Sequence, residues 1–304
     1  MKIMKNNMRN DFCAFILTHG RADRVHTYKS LREHGYTGKI FIVIDNEDVT
    51  ADDYYKLYKD EVIMFDKKAI AKTFDEGDNF NDRRAIIYAR NACFEIARKQ
   101  GYKYFIQLDD DYTGYSWRLD GDDNFTTIKV KNLDRIFMQL VDFHSKTNFL
   151  TVALAQPGDL VGGIQGDIGS MRVKRKAMNS FICDVDRPFT FFGRINEDVN
   201  LYTCAQRRGE AVLTFLHATV NQKATQSNAG GMTDLYIDSG TYIKSFYTVM
   251  YAPSCTKVHI MHTGKTGRLH HRVAWNNAAP KIISDKYKKQ GSGDKINIVD
   301  KSAV

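Results

Sequence analysis

The sequence predicts an α/β fold with a mostly parallel sheet flanked by helices. Short apolar runs alternate with amphipathic stretches over the first third of the 304 residues, which is the pattern of strands joined by helices. Polar residues follow several of these runs directly, and parallel sheets bind their ligands at the carboxyl ends of the strands. The sharpest transition is the apolar run 104–108, which ends in three carboxylates, Asp109, Asp110 and Asp111.

Four strands are predicted in the N-terminal part, because four short apolar runs are bounded by polar residues. They cover residues 12–17, 39–44, 62–65 and 104–108. We expect Asp23 to cap a first helix that ends at Gly35, and Asn81 or Asp82 to cap a second helix that ends at Gly101. Their apolar faces comprise Val25, Tyr28 and Leu31 in the first and Ile86, Ala89, Cys93 and Ile96 in the second.

The C-terminal part of the chain has a weaker pattern. We expect a surface helix at 133–144, a strand at 150–154 and a turn into a helix over 190–208. Two polar, glycine-containing stretches, 158–169 and 221–232, are predicted to be loops. A helix over 240–250 and a strand over 256–261 complete the predicted elements.

Cysteine usage and hydropathy favour a protein of the reducing cytosol. The five cysteines are odd in number and form no CxxC pair, which argues against a disulfide framework or a zinc knuckle. Residues 1–11 are polar and basic and lack the apolar core of a signal peptide. No apolar run approaches the roughly 18 residues that a membrane span needs. We therefore expect a cytoplasmic protein without a membrane partner.

The chain is basic, with 44 Lys and Arg against 36 Asp and Glu, a net charge of +8. Such an excess is typical of proteins with a polyanionic partner, although many basic proteins bind none. Three clusters concentrate the charge: Arg172, Lys174, Arg175 and Lys176; Arg207 and Arg208; Lys286, Lys288 and Lys289. The clusters leave nucleic-acid binding and a solvated surface as equal alternatives.

The three adjacent acids predict a metal site. Neighbouring carboxylates repel one another, and a divalent cation, which prefers oxygen ligands, is the usual compensation. If the strand continues through them, Asp109 and Asp111 point the same way and can share the ion. An acidic turn without a ligand is the alternative.

Arg83 and Arg90 precede the acidic run on the second predicted helix. Positions 83, 87 and 90 share a helix face, so the two arginines are expected to project together. A pair of guanidinium groups beside a metal suits a diphosphate, because each group matches phosphate oxygens. A surface salt-bridge helix is the alternative for the arginines. Asn91 is a weak helix former and is harder to explain as part of such a surface.

The ordered set of these motifs resembles the nucleotide-sugar half of GT-A glycosyltransferases. The set comprises Thr18-His19-Gly20-Arg21, Asp45, Ala89-Arg90-Asn91 and Asp109-Asp110-Asp111. Glu197-Asp198 resembles the acidic pair that those enzymes place beside the acceptor, and the resemblance covers about residues 12–210. More narrowly, the chain resembles the TET-associated glycosyltransferases of bacteriophages, which decorate hydroxymethylated pyrimidines in DNA. The segments that carry this narrower resemblance are 15–21, 196–198, 230–232 and 270–272.

The resemblance implies a metal-dependent sugar transfer from a nucleotide-sugar donor, with a UDP-sugar favoured. Asp45 would accept hydrogen bonds from the base or ribose. The acids Asp109 to Asp111 would hold Mn²⁺ or Mg²⁺ on the diphosphate, Asp111 most directly, which would assist the leaving group. One late histidine, assigned here as His271 among His259, His262, His270 and His271, would be a further metal ligand. The other expected donor contacts are Thr18, Arg21, Arg83, Arg90, Asn91, Asp110 and Lys265.

On the acceptor side, the resemblance implies that Asp198 is the general base, with Glu197 its neighbour or substitute. In an enzyme that retains the configuration of the sugar, this carboxylate has a different role, and the sequence leaves both outcomes open. Adjacent helical residues point about 100° apart, so only one of the two faces the substrate well. The implied acceptor is a 5-hydroxymethylpyrimidine in DNA, with hydroxymethylcytosine favoured. We expect one GT-A-like domain over 1–283, with a donor half at 12–111 and an acceptor and lid half at 112–283. Residues 284–304 would form a basic tail.

Other functions stay open on the sequence. A glycosyltransferase acting on a glycan or protein is the first alternative, although its membrane-associated members often carry an apolar anchor that is not visible here. A nucleotidyltransferase also uses paired acids, but Ala89-Arg90-Asn91 before the acidic run favours the sugar enzyme. A non-catalytic DNA-binding protein is the last alternative, and the sequence has no helix-turn-helix or zinc pattern to support it.

Overall fold

The computed structural model describes residues 8–78, 82–118, 126–160, 176–222, 243–263, 266–278 and 284. The strands in these ranges are β1 (Phe12–Leu17), β2 (Lys39–Asp45), β3 (Val62–Phe65), β4 (Tyr104–Asp109), β5 (Tyr112–Arg118), β6 (Thr127–Lys129), β7 (Thr151–Ala155), β8 (Phe181–Asp184), β9 (Val212–Gln222), β10 (Thr256–Thr263) and β11 (Thr266–Val273). The α-helices are α1 (His26–Glu33), α2 (Ala51–Tyr58), α3 (Lys67–Ala71), α4 (Ile87–Lys99), α5 (Leu133–Lys146), α6 (Glu197–Arg207), α7 (243–251) and α8 (Trp275–Ala278).

The described strands β1 to β9 form one sheet, in the order β3-β2-β1-β4-β8-β7-β9-β5-β6. Neighbouring strands from β3 to β4 are parallel, whereas β8 runs antiparallel to β4. β10 and β11 pair separately as an antiparallel hairpin. The predicted α/β class is confirmed, with a parallel N-terminal half of the sheet and mixed order beyond β4.

Helices cover both faces of the parallel half, which explains why its strands are continuous apolar runs. Alternate side chains of β1 enter two different cores, Ala14 and Ile16 the first, Phe15 and Leu17 the second. Residues of α1 and α5 complete the first core, and residues of α4 complete the second. Because β1 is buried on both sides, the position of its carboxyl end is tightly determined.

The register of the parallel strands brings their carboxyl ends to one edge of the sheet. Leu17 at the end of β1 lies opposite Val43 of β2 and opposite Asp109 at the end of β4. Thr18, Asp45 and the acidic run therefore meet at this edge, as the alternation of strands and helices predicts.

Several predicted element boundaries are wrong. α4 begins at Ile87 rather than near 82, because the Asp82 carboxylate accepts hydrogen bonds from the backbone and guanidinium of Arg84 and forms a local turn. The strand does not continue through the acidic run: β4 ends at Asp109 and the chain turns through residues 110 and 111 into β5, at the far side of the sheet. The alternation that would point Asp109 and Asp111 the same way is therefore absent. The elements α2, α3, α8, β5, β6, β8, β9 and β11 were not predicted.

Some predictions fall on parts of the chain outside the described residues. These are most of the two loops, the tail beyond residue 284, Lys265 and the basic residues Arg172, Lys174, Arg175, Lys286, Lys288 and Lys289. The extent of the domain and its division into halves remain predictions. Within the described ranges, none of the helices has both the length and the apolar character needed to cross a bilayer.

Candidate active site

A buried arginine joins the end of β4 to the start of α6. The Arg90 guanidinium is 1% exposed, and its Nη2 donates to Asp109 Oδ1 and its Nε to Glu197 Oε1, both at 2.9 Å. Its flat group also lies 4.8 Å from the centre of the Phe181 ring. Burying a cation is costly unless anions compensate it, so Arg90 and these two carboxylates form one mutually dependent unit.

Two acids near Arg90, Asp109 and Asp198, have raised pKa values. Burial raises the pKa of Asp109 to about 7, with Arg90 opposing and the negative charges of Asp111, Glu197 and Asp110 adding to the rise. Burial, followed by the charge of Glu197, raises the pKa of Asp198 to about 6. Asp198 is 7% exposed, lies in the first turn of α6 and accepts a hydrogen bond from the backbone of Val199 at 2.7 Å.

The middle acid of the run turns inward and is already bound. Asp110 is 4% exposed, accepts a hydrogen bond from Thr18 Oγ1 at 2.7 Å and lies 3.4 Å from Arg21 Nε. The Thr18 hydroxyl also contacts the hydroxyl of Tyr54, which in turn accepts from the backbone N–H of Arg21. This network ties the segment after β1 to the turn after β4, so Thr18, Arg21 and Asp110 shape the site together.

Asp45 lies in a charged pocket at the end of β2. Its carboxylate is 2.8 Å from His19 Nδ1 and 3.2 Å from Lys67 Nζ, and both Asp45 and Lys67 are almost fully buried. Burial alone would raise the pKa of Asp45, but the hydrogen bond from His19 and the charge of Lys67 outweigh it, and the pKa lies below its usual value. Asp45 is therefore an anion held between two protein cations or donors.

Three predicted donor contacts, Arg83, Arg90 and Asn91, bind groups within the protein. Arg83 precedes α4 and pairs with Glu47 at the end of β2, so it does not project together with the buried Arg90. Arg90 itself has no accessible surface to offer a diphosphate, because its guanidinium is enclosed between carboxylates and aromatic rings. Asn91 accepts a hydrogen bond from the backbone N–H of Phe191 and donates to the carbonyl of the same residue. It therefore anchors the segment before α6 to α4.

The residue before the acidic pair has an unusual conformation. Asn196 has φ 55° and ψ 39°, in the left-handed region, which few residues other than glycine adopt and where Asn is enriched. Its amide nitrogen donates to the carbonyl of Lys244 at 2.6 Å and lies 3.3 Å from His271 Nδ1. Burial, followed by the charges of His270 and Lys244, lowers the pKa of His271 to about 3. His271 is thus a neutral partner of Asn196.

Sequence reasoning missed several residues that complete the site. His19 lies inside a motif that was recognised, but its partnership with Asp45 depends on a neighbouring strand. Lys67 follows β3 at the start of a five-residue helix that has no clear periodicity. Asn196 lies inside the recognised segment 196–198, but its contacts with Lys244 and His271 depend on distant elements.

The residues at the turn after β4 suit a divalent cation. Asp109 and Asp111 would supply the oxygen ligands that Mn²⁺ or Mg²⁺ prefers. Burial and, after it, the neighbouring negative charges raise the pKa of Asp109, and a bound cation would offset those charges. In the described part of the chain, no group of three or more His, Cys, Asp or Glu side chains is arranged around a common metal position. His271 contacts Asn196, and its part as a ligand stays a prediction.

Comparison with known proteins identifies the family of the chain, which is a family of glycosyltransferases. The model of the TET-associated glycosyltransferase family matches residues 12–231, and the chain belongs to this family.

Two solved structures are distantly similar. The crystal structure of S. aureus TarS has a TM-score of 0.38 and 12% identity, over 69% of this chain and 36% of that chain. The crystal structure of mannose-1-phosphate geranyltransferase from Thermus thermophilus has a TM-score of 0.24 and 12% identity, over 47% of this chain and 41% of that chain. This chain therefore spans less than half the length of either protein. None of the curated proteins matches it.

Proposed function

We propose that the protein transfers a sugar from a nucleotide-sugar donor to the hydroxyl group of a 5-hydroxymethylpyrimidine in DNA. The observation that carries the proposal is the shared guanidinium of Arg90, which holds an acid of the β4 turn and an acid of α6 beside one another. The two acids belong to the parts of the chain expected to bind the donor and the acceptor. Membership of the TET-associated glycosyltransferase family supports a DNA acceptor.

On the donor side, the edge formed by β1, β2 and β4 would receive the nucleotide diphosphate. Asp45, His19 and Lys67 bind one another at the end of β2. Asp45 and Lys67 are buried, so the exposed His19 ring would meet the base or ribose while the other two hold it in place. We favour a UDP-sugar. Asp109 and Asp111 would hold Mn²⁺ or Mg²⁺, which when bound supplies Lewis-acid stabilisation of the leaving diphosphate.

On the acceptor side, Asp198 would act as the general base. It would take the proton from the hydroxymethyl group as that oxygen bonds to the anomeric carbon and the bond from this carbon to the diphosphate breaks. A pKa of about 6 leaves Asp198 ionised near pH 7 while keeping it more basic than a free carboxylate. Glu197 binds Arg90, so its carboxylate is committed to the protein and its role is to hold the start of α6 in place.

The target pyrimidine must leave the base stack of the DNA so that its hydroxymethyl group can reach the buried carboxylate of Asp198. A hydroxymethyl group in a duplex lies in the major groove, where a bulky sugar diphosphate is hard to align for attack. We expect the enzyme to extrude the nucleotide or to prefer unpaired DNA, with an unstacking cost of about a few kcal/mol.

The test is a direct assay of the modified nucleosides. The protein is incubated with nucleotide sugars, Mn²⁺ or Mg²⁺ and DNA containing hydroxymethylcytosine, hydroxymethyluracil or only unmodified bases, and the DNA is digested for mass spectrometry. A hexose or pentose adduct on a hydroxymethylated base, absent with Asp198→Asn, supports the proposal. Elongation of a glycan acceptor without any DNA adduct would replace it with the alternative of a glycan-directed enzyme.

A further inference from the structure

The β10–β11 hairpin carries half of the net charge of the chain. Residues 256–273 contain two lysines, two arginines, four histidines and no Asp or Glu. With neutral histidines, this stretch therefore contributes +4 of the net charge of +8. Because the hairpin has no acid of its own, compensation for its positive charges must come from another part of the molecule or from a ligand.

The two faces of the hairpin differ in what they contact. Thr256 and Val273 are cross-strand partners; Thr256 is 4% exposed and Val273 packs against the hydrophobic core, so their face lies on the body of the protein. Side chains alternate between faces along a strand, which places the next pair, Lys257 and Arg272, on the opposite face. Both side chains are exposed.

Lys257 and Arg272 lie directly opposite one another in the antiparallel register. Like charges in this position destabilise a strand pair, whereas opposite charges stabilise it. His259 and His270 form the following pair on the same face. In water, the positive charges of Lys257 and Arg272 repel each other and destabilise the strand pair. An anion that binds across both strands offsets this repulsion.

The hairpin also reaches past the body of the protein near the acidic pair. Its cross-strand pair Ile260 and Leu269 is 57% and 37% exposed, although it occupies the same face as the packed Val273. On that face His271 Nδ1 lies 3.3 Å from the Asn196 amide, and Asn196 immediately precedes Glu197 at the start of α6. The inner face of the hairpin is therefore anchored at the start of α6, and a ligand on the outer face lies across the hairpin from the expected acceptor site.

We propose that the outer face of the β10–β11 hairpin binds the sugar–phosphate backbone of the acceptor DNA through Lys257 and Arg272. The inference rests on the proposed function, since it names the surface that holds the same acceptor. Two cations on neighbouring strands can contact phosphates of one DNA strand without reading its sequence. Binding here positions the duplex and offsets the cost of extruding the target nucleotide.

The test measures DNA affinity against salt concentration for the full chain and for the double variant Lys257→Gln/Arg272→Gln. The matched control is Lys99→Gln/Lys146→Gln, which removes two exposed lysines, each paired with an acid on its own helix. We expect the hairpin variant to bind hydroxymethylcytosine DNA about 10- to 100-fold more weakly near 0.1 M salt. The negative slope of log affinity against log salt should become shallower by about 2 in this variant. The control should lose much less, and hydrolysis of the nucleotide sugar should be unchanged in both variants.

The outcomes separate this inference from the function on which it rests. If the native protein modifies DNA but the hairpin variant keeps the native salt dependence, the proposed hairpin surface is wrong and the proposed function stands. Equal losses in the hairpin variant and the control also overturn the hairpin surface, because the effect would then reflect net charge. A full chain that neither binds nor modifies DNA overturns both the proposed acceptor and its binding surface.

Discussion

Arg90 donates to Glu197 Oε1 at 2.9 Å across 107 positions of sequence. The same guanidinium binds Asp109 Oδ1, so one buried cation joins the acid at the end of β4 to the acid at the start of α6. Neither carboxylate would be stable in its surroundings without the cation, and the cation would not be stable without them. The relative position of the two acidic segments is therefore fixed by a charge interaction inside the protein, before any substrate binds.

Replacing Arg90 should lower the free energy of unfolding more than replacing Arg83, which is also paired with an acid. Arg90→Met leaves Asp109 and Glu197 without their shared counter-charge, and we expect a loss of about 3–5 kcal/mol in the free energy of unfolding. Arg83→Met removes a partly exposed pair with Glu47 and should cost less than about 1 kcal/mol. Urea unfolding followed by circular dichroism measures both variants. Similar losses in the two would show that Arg90 does not compensate the carboxylates.

Asp198→Asn should abolish transfer and leave donor affinity within a few-fold, because a base on the acceptor side does not contact the nucleotide. The turnover number of the native enzyme should rise with pH through about pH 6 and then level off, since the base must be ionised and the pKa of Asp198 is raised to about 6. Isothermal titration with the nucleotide sugar and a pH profile of turnover test both points. Loss of donor binding equal to the loss of transfer would move Asp198 to the donor side.

Glu197→Gln is the comparison for Asp198→Asn. It retains a hydrogen-bond acceptor for Arg90 but removes the charge, so we expect a loss of stability larger than any direct loss in chemistry. Stability from urea unfolding and turnover at a temperature where the variant is folded separate the two effects. A Glu197→Gln variant that is stable but inactive would show that Glu197 is the general base and that Asp198 is not.

Asp111→Asn should reduce turnover at least roughly a hundredfold, the scale of losing a main electrostatic stabiliser, while the protein stays folded. Asp111 lies in the turn after β4 and is only half-buried, which lets an amide of the same shape fit. EDTA should stop the reaction of the native enzyme, and Mn²⁺ or Mg²⁺ should restore it. Near-normal transfer in EDTA would remove the metal from the proposed mechanism.

Asn196→Gly and Asn196→Ala should separate backbone conformation from side-chain contact. Alanine at φ 55° is strained by about 1–2 kcal/mol, whereas glycine adopts this conformation freely. Both variants lose the hydrogen bonds to Lys244 and His271. We expect slower transfer in both and a lower melting temperature mainly in the alanine variant. Native turnover in the glycine variant would show that the amide contacts do not position α6.

His144 should make the fold less stable in mild acid. Burial, followed by the charge of Arg187, lowers the pKa of His144 to about 4, against an ordinary value near 6.5. Between these values the unfolded chain binds more protons than the folded one, so stability is complete above about pH 6.5 and falls as the pH drops towards 4. His144 accounts for at most about 3 kcal/mol of the loss in the free energy of unfolding between these pH values. His144→Gln should be less stable at neutral pH but lose less between pH 6.5 and 4, which urea unfolding at several pH values will show.

The sequence determined the elements whose signals are local. The strands β1, β2, β3 and β4 and the helix that ends near Gly101 follow from apolar runs, periodicity and terminating residues, all of which act within a few positions. The meeting of polar residues at one edge also follows, because parallel strands end on the same side. The family resemblance adds the expected roles of those residues in binding the donor, the metal and the acceptor.

Only the tertiary structure decided which of these residues contact one another. Arg90 was expected to reach a phosphate, yet the sheet order places β4 and α6 so that it binds Asp109 and Glu197 instead. Asn196 and His271 lie 75 positions apart, and no local pattern relates them. Periodicity carries information about which face of an element is buried, whereas the partner of a buried charge depends on how distant elements pack. Because an unpaired buried charge is costly, that packing rather than local preference selects the partner.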